Sequence, residues 1–191
     1  GWNADAQSVT AVTGELHWNY GERYFEVRAE KTQGVVGFAG GRSYELPSVS
    51  LTIDTPFVSL LFTALDNRPL DVSTKVLVTA LAQEKQTGTL YEGQGDDARL
   101  VSIGGPPILL EPVQASIEFE TAFNHAEVLD HHGRRTGRPL EVEEGGGYRI
   151  DGRYATLYYL FERTPTETNP GSGGAGGGGV GGQGGEGAQA G

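Results

Sequence analysis

The sequence predicts an all-β fold, an antiparallel β-sandwich of jelly-roll type. Three observations predict it. Short apolar segments rich in β-branched and aromatic residues recur along the chain. Gly, Pro, Asn and Asp clusters punctuate them. No stretch of about 10–12 residues holds a helical period with caps. The buried runs differ in length and the turns are uneven, which favours a sandwich over a regular barrel.

The elements follow in order. Glu15–Tyr20 alternates, and Gly21-Glu22-Arg23 turns it into Tyr24–Arg28, a hairpin with a short loop. Gln33–Phe38 is next, followed by a Gly40-Gly41 turn. Tyr44–Leu46 and Val49–Ile53 are short strands separated by Pro47. Val58–Leu65 is almost wholly apolar, so it is expected as a central strand covered on both faces. Asp66-Asn67-Arg68-Pro69 is a turn: Asn tolerates positive φ and Pro sets the exit. Lys75–Ala82 is the second buried run, expected to pair with Val58–Leu65. Thr87–Tyr91 continues outward to a Gly93–Asp97 loop. A second half begins at Pro106-Pro107, with strands at Ile108–Pro112, Gln114–Phe119, Ala126–Leu129, Leu140–Glu143 and Tyr148–Ile150. Ala155–Phe161 is the last strand.

From Gly171 to Gly191 the chain is mostly glycine. Such a segment has little to bury and much backbone entropy to lose, so it is expected to be disordered. The predicted organisation is one sandwich domain over residues 1–163 and a Pro/Gly-rich linker or tail over residues 164–191. The foldable part is long enough for one core without staples.

There is no cysteine among the 191 residues, which excludes disulfides, thiol catalysis and Cys-based zinc sites. There is also no methionine, so the chain is read as a processed product or a fragment. The formal net charge of −11 argues against nucleic acid and anionic membranes, because phosphate binding rests on Lys and Arg. No apolar run approaches the roughly 20 residues of a membrane-spanning helix. Neutral sugars, cations and other proteins remain as partners.

One series of motifs carries a resemblance. Thr32-Gln33-Gly34-Val35-Val36-Gly37-Phe38 looks like a recurring TxQGxxGF strand. Leu65-Asp66-Asn67-Arg68-Pro69-Leu70, Leu77-Val78-Thr79-Ala80 and Thr87-Gly88 follow. Then come Pro107-Ile108-Leu109-Leu110-Glu111-Pro112-Val113, Leu129-Asp130, Gly133-Arg134-Arg135 and Ala155-Thr156-Leu157-Tyr158-Tyr159. From about Thr13 to Phe161 the series resembles the C-terminal β-domain of large bacterial proteins whose upstream part is a TIM-barrel, glycoside-hydrolase-like domain. Where that pattern has xLVTAxxRxxNTG, this chain has Gln83-Glu84-Lys85-Gln86-Thr87-Gly88, so the Arg and Asn are replaced. The resemblance implies an extracellular or cell-surface, non-catalytic accessory module whose partner is a catalytic domain upstream in the same polypeptide. It implies no catalytic residue and no cofactor.

Glycoside hydrolysis needs two carboxylates about 5–10 Å apart. Glu15, Asp54, Asp66 and Glu111 are available, none in a catalytic string, and Asp66 has a ready role in starting its turn. Asp130-His131-His132 invites a metal, but neighbouring strand residues point to opposite faces, so a solvated turn is expected. Gly95-Asp96-Asp97 offers carboxylates for a structural calcium ion without EF-hand spacing, and a plain acidic loop is the simpler reading. Gly40-Gly41 and Gly145–Gly147 precede no helix and are not phosphate loops. Trp18 and Tyr20 share one face of the first hairpin and Tyr24 lies across it. These three either cover a core edge, seat a further domain, or form a stacking platform for sugar rings. The expectation is therefore an accessory module. One alternative is a polysaccharide-binding module using Trp18, Tyr20 and Tyr24. A second is a stand-alone hydrolase with an unrecognised carboxylate pair.

Overall fold

The computed structural model describes residues 1–164; the expected glycine-rich tail lies outside the described residues. Eighteen strands follow in chain order: β1 (Trp2–Asn3), β2 (Ser8–Thr10), β3 (Leu16–Asn19), β4 (Tyr24–Arg28), β5 (Thr32–Gly37) and β6 (Arg42–Glu45). Then come β7 (Val49–Ile53), β8 (Val58–Ala64), β9 (Lys75–Leu81), β10 (Glu84–Thr87), β11 (Leu90–Glu92) and β12 (Arg99–Ser102). The last six are β13 (Gly105–Leu110), β14 (Ala115–Phe119), β15 (His125–Leu129), β16 (Arg135–Pro139), β17 (Tyr148–Ile150) and β18 (Tyr158–Glu162). The described helical structure is two single 3₁₀ turns, at Gly95–Asp97 and Gly152–Tyr154.

The strands form an antiparallel, sandwich-like all-β fold. Ten of them make one large sheet in the order β1-β2-β3-β4-β5-β8-β9-β18-β15-β16, and four make a second in the order β17-β14-β7-β6. The two runs that sequence placed at the centre, β8 and β9, do pair there, Leu60 opposite Ala80 and Phe62 opposite Val78. Inward-pointing residues alternate along them, so Val58, Leu60, Phe62, Val76 and Val78 are buried. They meet Val49, Leu51, Ile53, Ala115, Ile117 and Ile150 of the small sheet in one core.

A knot of rings closes one end of that core. Phe119 lies 5.6 Å from Phe62, 4.7 Å from Phe123 and 5.0 Å from Phe161, and Phe161 lies 4.9 Å from Tyr148, mostly edge-to-face. Edge-to-face packing sets the positive ring edge on the negative face of its neighbour.

Several sequence expectations need correction. Val58–Leu65 is not covered on both faces: Ser59, Leu61 and Thr63 of β8 are only half-buried, because the small sheet packs on one side only. Leu140–Glu143 is not a strand; Val142 makes a single bridge to Tyr148, and the pairing with β15 is made earlier, by Arg135–Pro139. The last strand starts later than Ala155, which sits in left-handed conformation closing a 3₁₀ turn. Pro106-Pro107 does not begin a second half of the body. It lies inside β13, on the return leg of an arm formed by residues 84–110, whose strands pair only as β10 with β13 and β11 with β12.

Candidate binding face and cavities

Pairing register decides what the aromatic residues of the first hairpin can do. Directly opposed residues of an antiparallel pair share a face. Trp2 pairs with Val9, Val9 with Trp18, Trp18 with Phe25 and Phe25 with Val36, so this row faces outward, away from the small sheet. Trp2 is 73 % exposed and Trp18 is 50 % exposed. Tyr20, two residues past Trp18, stands beside it, ring centroids 5.7 Å apart and planes at 62°. Its hydroxyl accepts a hydrogen bond from Trp2 Nε1 at 3.3 Å.

Tyr24 pairs with Asn19 and therefore points the other way. Its ring packs 5.4 Å from Tyr44 at the margin of the core, with the Arg42 guanidinium 5.5 Å from its centroid. The structure thus brings Trp18 and Tyr20 together, removes Tyr24 from the set, and adds Trp2. Period-two alternation is enough to separate Tyr24 once the hairpin register is known, but register is set by the Gly21-Glu22-Arg23 turn. Nothing in the sequence tells that Trp2 belongs to the same face, because β1 is two residues long and joins through β2.

Of the four singled-out carboxylates, Asp66 and Asp54 are held by donors, and Glu111 shares hollows with Asp54 and with Asp151. Asp66 accepts hydrogen bonds from Thr74 N at 2.7 Å, Ser73 Oγ at 2.8 Å, Thr74 Oγ1 at 3.0 Å and Arg68 N at 3.3 Å. Burial pushes its pKa up, but these donors outweigh burial and hold it down at about 2. It is a loop latch. Asp54 is bound by Arg149 at 2.5 Å, and shares a hollow of about 210 Å³ with Glu111. Glu15 is exposed at the start of the first hairpin.

Glu111 also lines a cavity of about 310 Å³, with Ile108 and Leu110 of the arm base, Ala80, Tyr159, His131 and Asp151. Asp151 is held by Arg153, whose Nε lies 3.0 Å from both carboxylate oxygens. Burial raises the Asp151 pKa, yet the Arg153 hydrogen bonds bring it below the ordinary value. A carboxyl kept ionised by an adjoining guanidinium is poorly suited to act as a general acid.

Asp130 starts a turn, its Oδ1 accepting from His132 N and Arg134 N, each at 2.8 Å. His131 and His132 are both exposed and line a groove of about 460 Å³ with Lys75, Arg135 and Tyr158 on the outer face. Among the described residues no group of three His, Cys, Asp or Glu is placed to hold a metal ion. Gly95-Asp96-Asp97 forms a 3₁₀ turn at the tip of the arm. Beside the groove, buried Glu127 accepts from Gly137 N at 2.6 Å and Arg135 at 3.1 Å, while Arg135 also grips Glu162 at 2.6 Å. Burial works against ionised Glu127, but those donors keep its pKa below the ordinary value. This network ties β15, β16 and β18 together.

The arm is the feature that sequence reasoning missed. Leu90, Tyr91, Val101, Ile103 and Ile108 are each more than half exposed on it, and Leu100, Leu109 and Leu110 nearly so. Gly88 and Gly104, both at positive φ, lie between its two strand pairs, and a Cβ on Gly104 would strike the Thr87 carbonyl. The available signal was Gly88 and Gly104, each breaking a strand pattern at matching places on the two legs.

Compared with known proteins, the chain matches no family model, no curated protein and no solved structure. Among the described residues, no helix is long and apolar enough to cross a membrane.

Proposed function

We propose that this chain is a non-catalytic accessory β-sandwich of a multidomain, extracellular carbohydrate-active protein, and that it packs on a glycoside-hydrolase-type domain of the same polypeptide. The observation that carries the reading is the arm of residues 84–110. Its apolar side chains project from both ribbon faces into solvent. So many exposed apolar side chains on one arm are costly to leave wet and mark a place where protein seats on protein. The motif series from Thr32 to Tyr159 supports the type of neighbour. The occupied carboxylates, Asp54 by Arg149 and Asp151 by Arg153, support a role without chemistry of its own.

Hydrogen exchange on this chain alone and on the natural polypeptide that carries it tests the reading. Amides of residues 84–110 are expected to slow in the longer protein. Equal exchange in both, or a natural polypeptide without a catalytic neighbour, would sink the proposal. Glycoside hydrolysis by the isolated chain, lost on Glu111→Gln, would replace it with the enzyme reading.

A further inference from the structure

Both tryptophans of the chain lie on one exposed patch of the outer sheet face, with Tyr20 between them. We propose that Trp2, Tyr20 and Trp18 form a binding site for a single chain of a neutral, gluco-configured β-linked polysaccharide. The site uses a different surface from the arm, so it stands or falls apart from the docking role.

Four observations choose this ligand. First, the patch is aromatic at its most exposed points, where indole is the most expensive side chain to leave in water. A pyranose with equatorial hydroxyls presents C–H groups on both ring faces, and those groups stack on π-electron density. Second, Trp2 and Trp18 stand across one intervening strand, through Val9. Two strand spacings amount to roughly 10 Å, close to the separation of alternate rings in an extended β-linked chain. Third, the Tyr20 hydroxyl accepts from Trp2 Nε1 and so keeps its own O–H to donate to a sugar oxygen. Ligand sites of this sort join an apolar platform to a few convergent polar groups. Fourth, a net charge of −11 disfavours anionic polysaccharides.

The form of the platform narrows the ligand again. The Tyr20 plane is turned 62° from that of Trp18, so the three rings do not make one flat surface. A twisted set fits one solvated chain and does not fit a flat crystal face.

Because no tryptophan lies elsewhere, fluorescence excited selectively in tryptophan reports on this site alone. The experiment titrates the chain with cellohexaose and hydroxyethylcellulose, with crystalline cellulose and polygalacturonate as contrasts. Saturable fluorescence change with the two soluble neutral glucans is expected. Trp18→Ala should weaken binding about tenfold or more, as loss of a central aromatic anchor does, and Trp2→Ala should weaken it too. Tyr24→Phe, on the opposite face, should bind like the parent. Trp18 is half exposed, so its variant is expected to fold, which far-UV circular dichroism checks. No response to either soluble glucan, or parental affinity in Trp18→Ala, overturns the proposal. Preference for polygalacturonate or for crystalline cellulose overturns it as well. So does a result in which only attachment of the neighbouring domain alters the tryptophan emission, which would make the patch a protein contact.

Discussion

Gln33 of the large sheet is buried and spans to Ser48, in the β6–β7 turn of the small sheet, through two hydrogen bonds. Its Oε1 accepts from Ser48 N at 2.9 Å, and its Nε2 donates to Ser48 Oγ at 3.1 Å. Gln33 is 2 % exposed and Ser48 is 6 % exposed. An amide in such a place is tolerated only because both its ends are satisfied. The pair ties the β6–β7 turn of the small sheet to β5 of the large one.

Replacing Gln33 by Leu keeps roughly the volume but strands the Ser48 N–H in an apolar gap. The expected loss is about 1–3 kcal/mol, the desolvation cost of an unsatisfied buried donor. Urea unfolding of Gln33→Leu beside the parent measures it; an unchanged midpoint would remove the clamp from the account.

Gly34, next to it, is required for a steric reason. A Cβ there would collide with the Leu60 carbonyl oxygen and come within 2.9 Å of Leu61 Cα, backbone of the neighbouring central strand that cannot give way. Gly34→Ala should therefore cost about 3 kcal/mol or more, or leave the chain insoluble. Gly105→Ala is the control: nothing lies within 4 Å and its φ is not in the left-handed region, so stability should stay within about 0.5 kcal/mol. Paired thermal melts decide between them.

Stability should fall on acidification through Asp66. Its folded pKa of about 2 lies below the ordinary 3.8. A depressed folded pKa means stabilisation that is present above pH 4 and lost as pH falls from about 4 to about 2. Glu127, Asp130, Asp151 and Glu162 are shifted in the same direction and add to the same limb. The difference in unfolding free energy between parent and Asp66→Asn should shrink over that window. A difference that is constant from pH 6 to pH 2 would contradict the latch.

Arg163 holds the loop that Asp66 latches. Its guanidinium donates to the carbonyl oxygens of Ser73 at 2.6 Å, Asp71 at 2.5 Å, Leu70 at 3.1 Å and Thr121 at 3.3 Å, and lies 4.6 Å from the Phe123 ring centroid. A planar fork makes these bonds together, and an ammonium does not. Arg163→Lys should lose about 2 kcal/mol, almost as much as Arg163→Ala. Because both residues act on one loop, the double variant with Asp66→Asn should lose less than the sum of the singles. Strict additivity in a double-mutant cycle would show that the two ties are independent.

The arm makes the opposite kind of prediction. Ile103 and Ile108 are 64 % and 58 % exposed, so Ile103→Ser with Ile108→Ser should leave the unfolding midpoint of the isolated chain nearly unchanged. Self-association of the isolated chain, read by light scattering, should fall. A stability loss of core size would mean that the arm packs on its own body.

The sequence was enough for the all-β class, the central β8–β9 pair and the turn chemistry. Those follow from local causes: β-branched alternation, Asn67 at positive φ, and an Asp66 side chain able to take backbone N–H groups. It also pointed to Trp18 and Tyr20 on one face, since two residues on a strand share a side. That Tyr24 turns inward and that Trp2 joins the exposed set came from the fold, because face depends on the register of β1 through β4, and register is a pairing between distant segments. The same holds for the arm. Leu90, Ile103 and Ile108 have the composition of core residues, and what leaves them in solvent is that their ribbons pair only with each other and no sheet closes over them. Hydrophobicity is a property of a residue, but burial is a property of what packs against it.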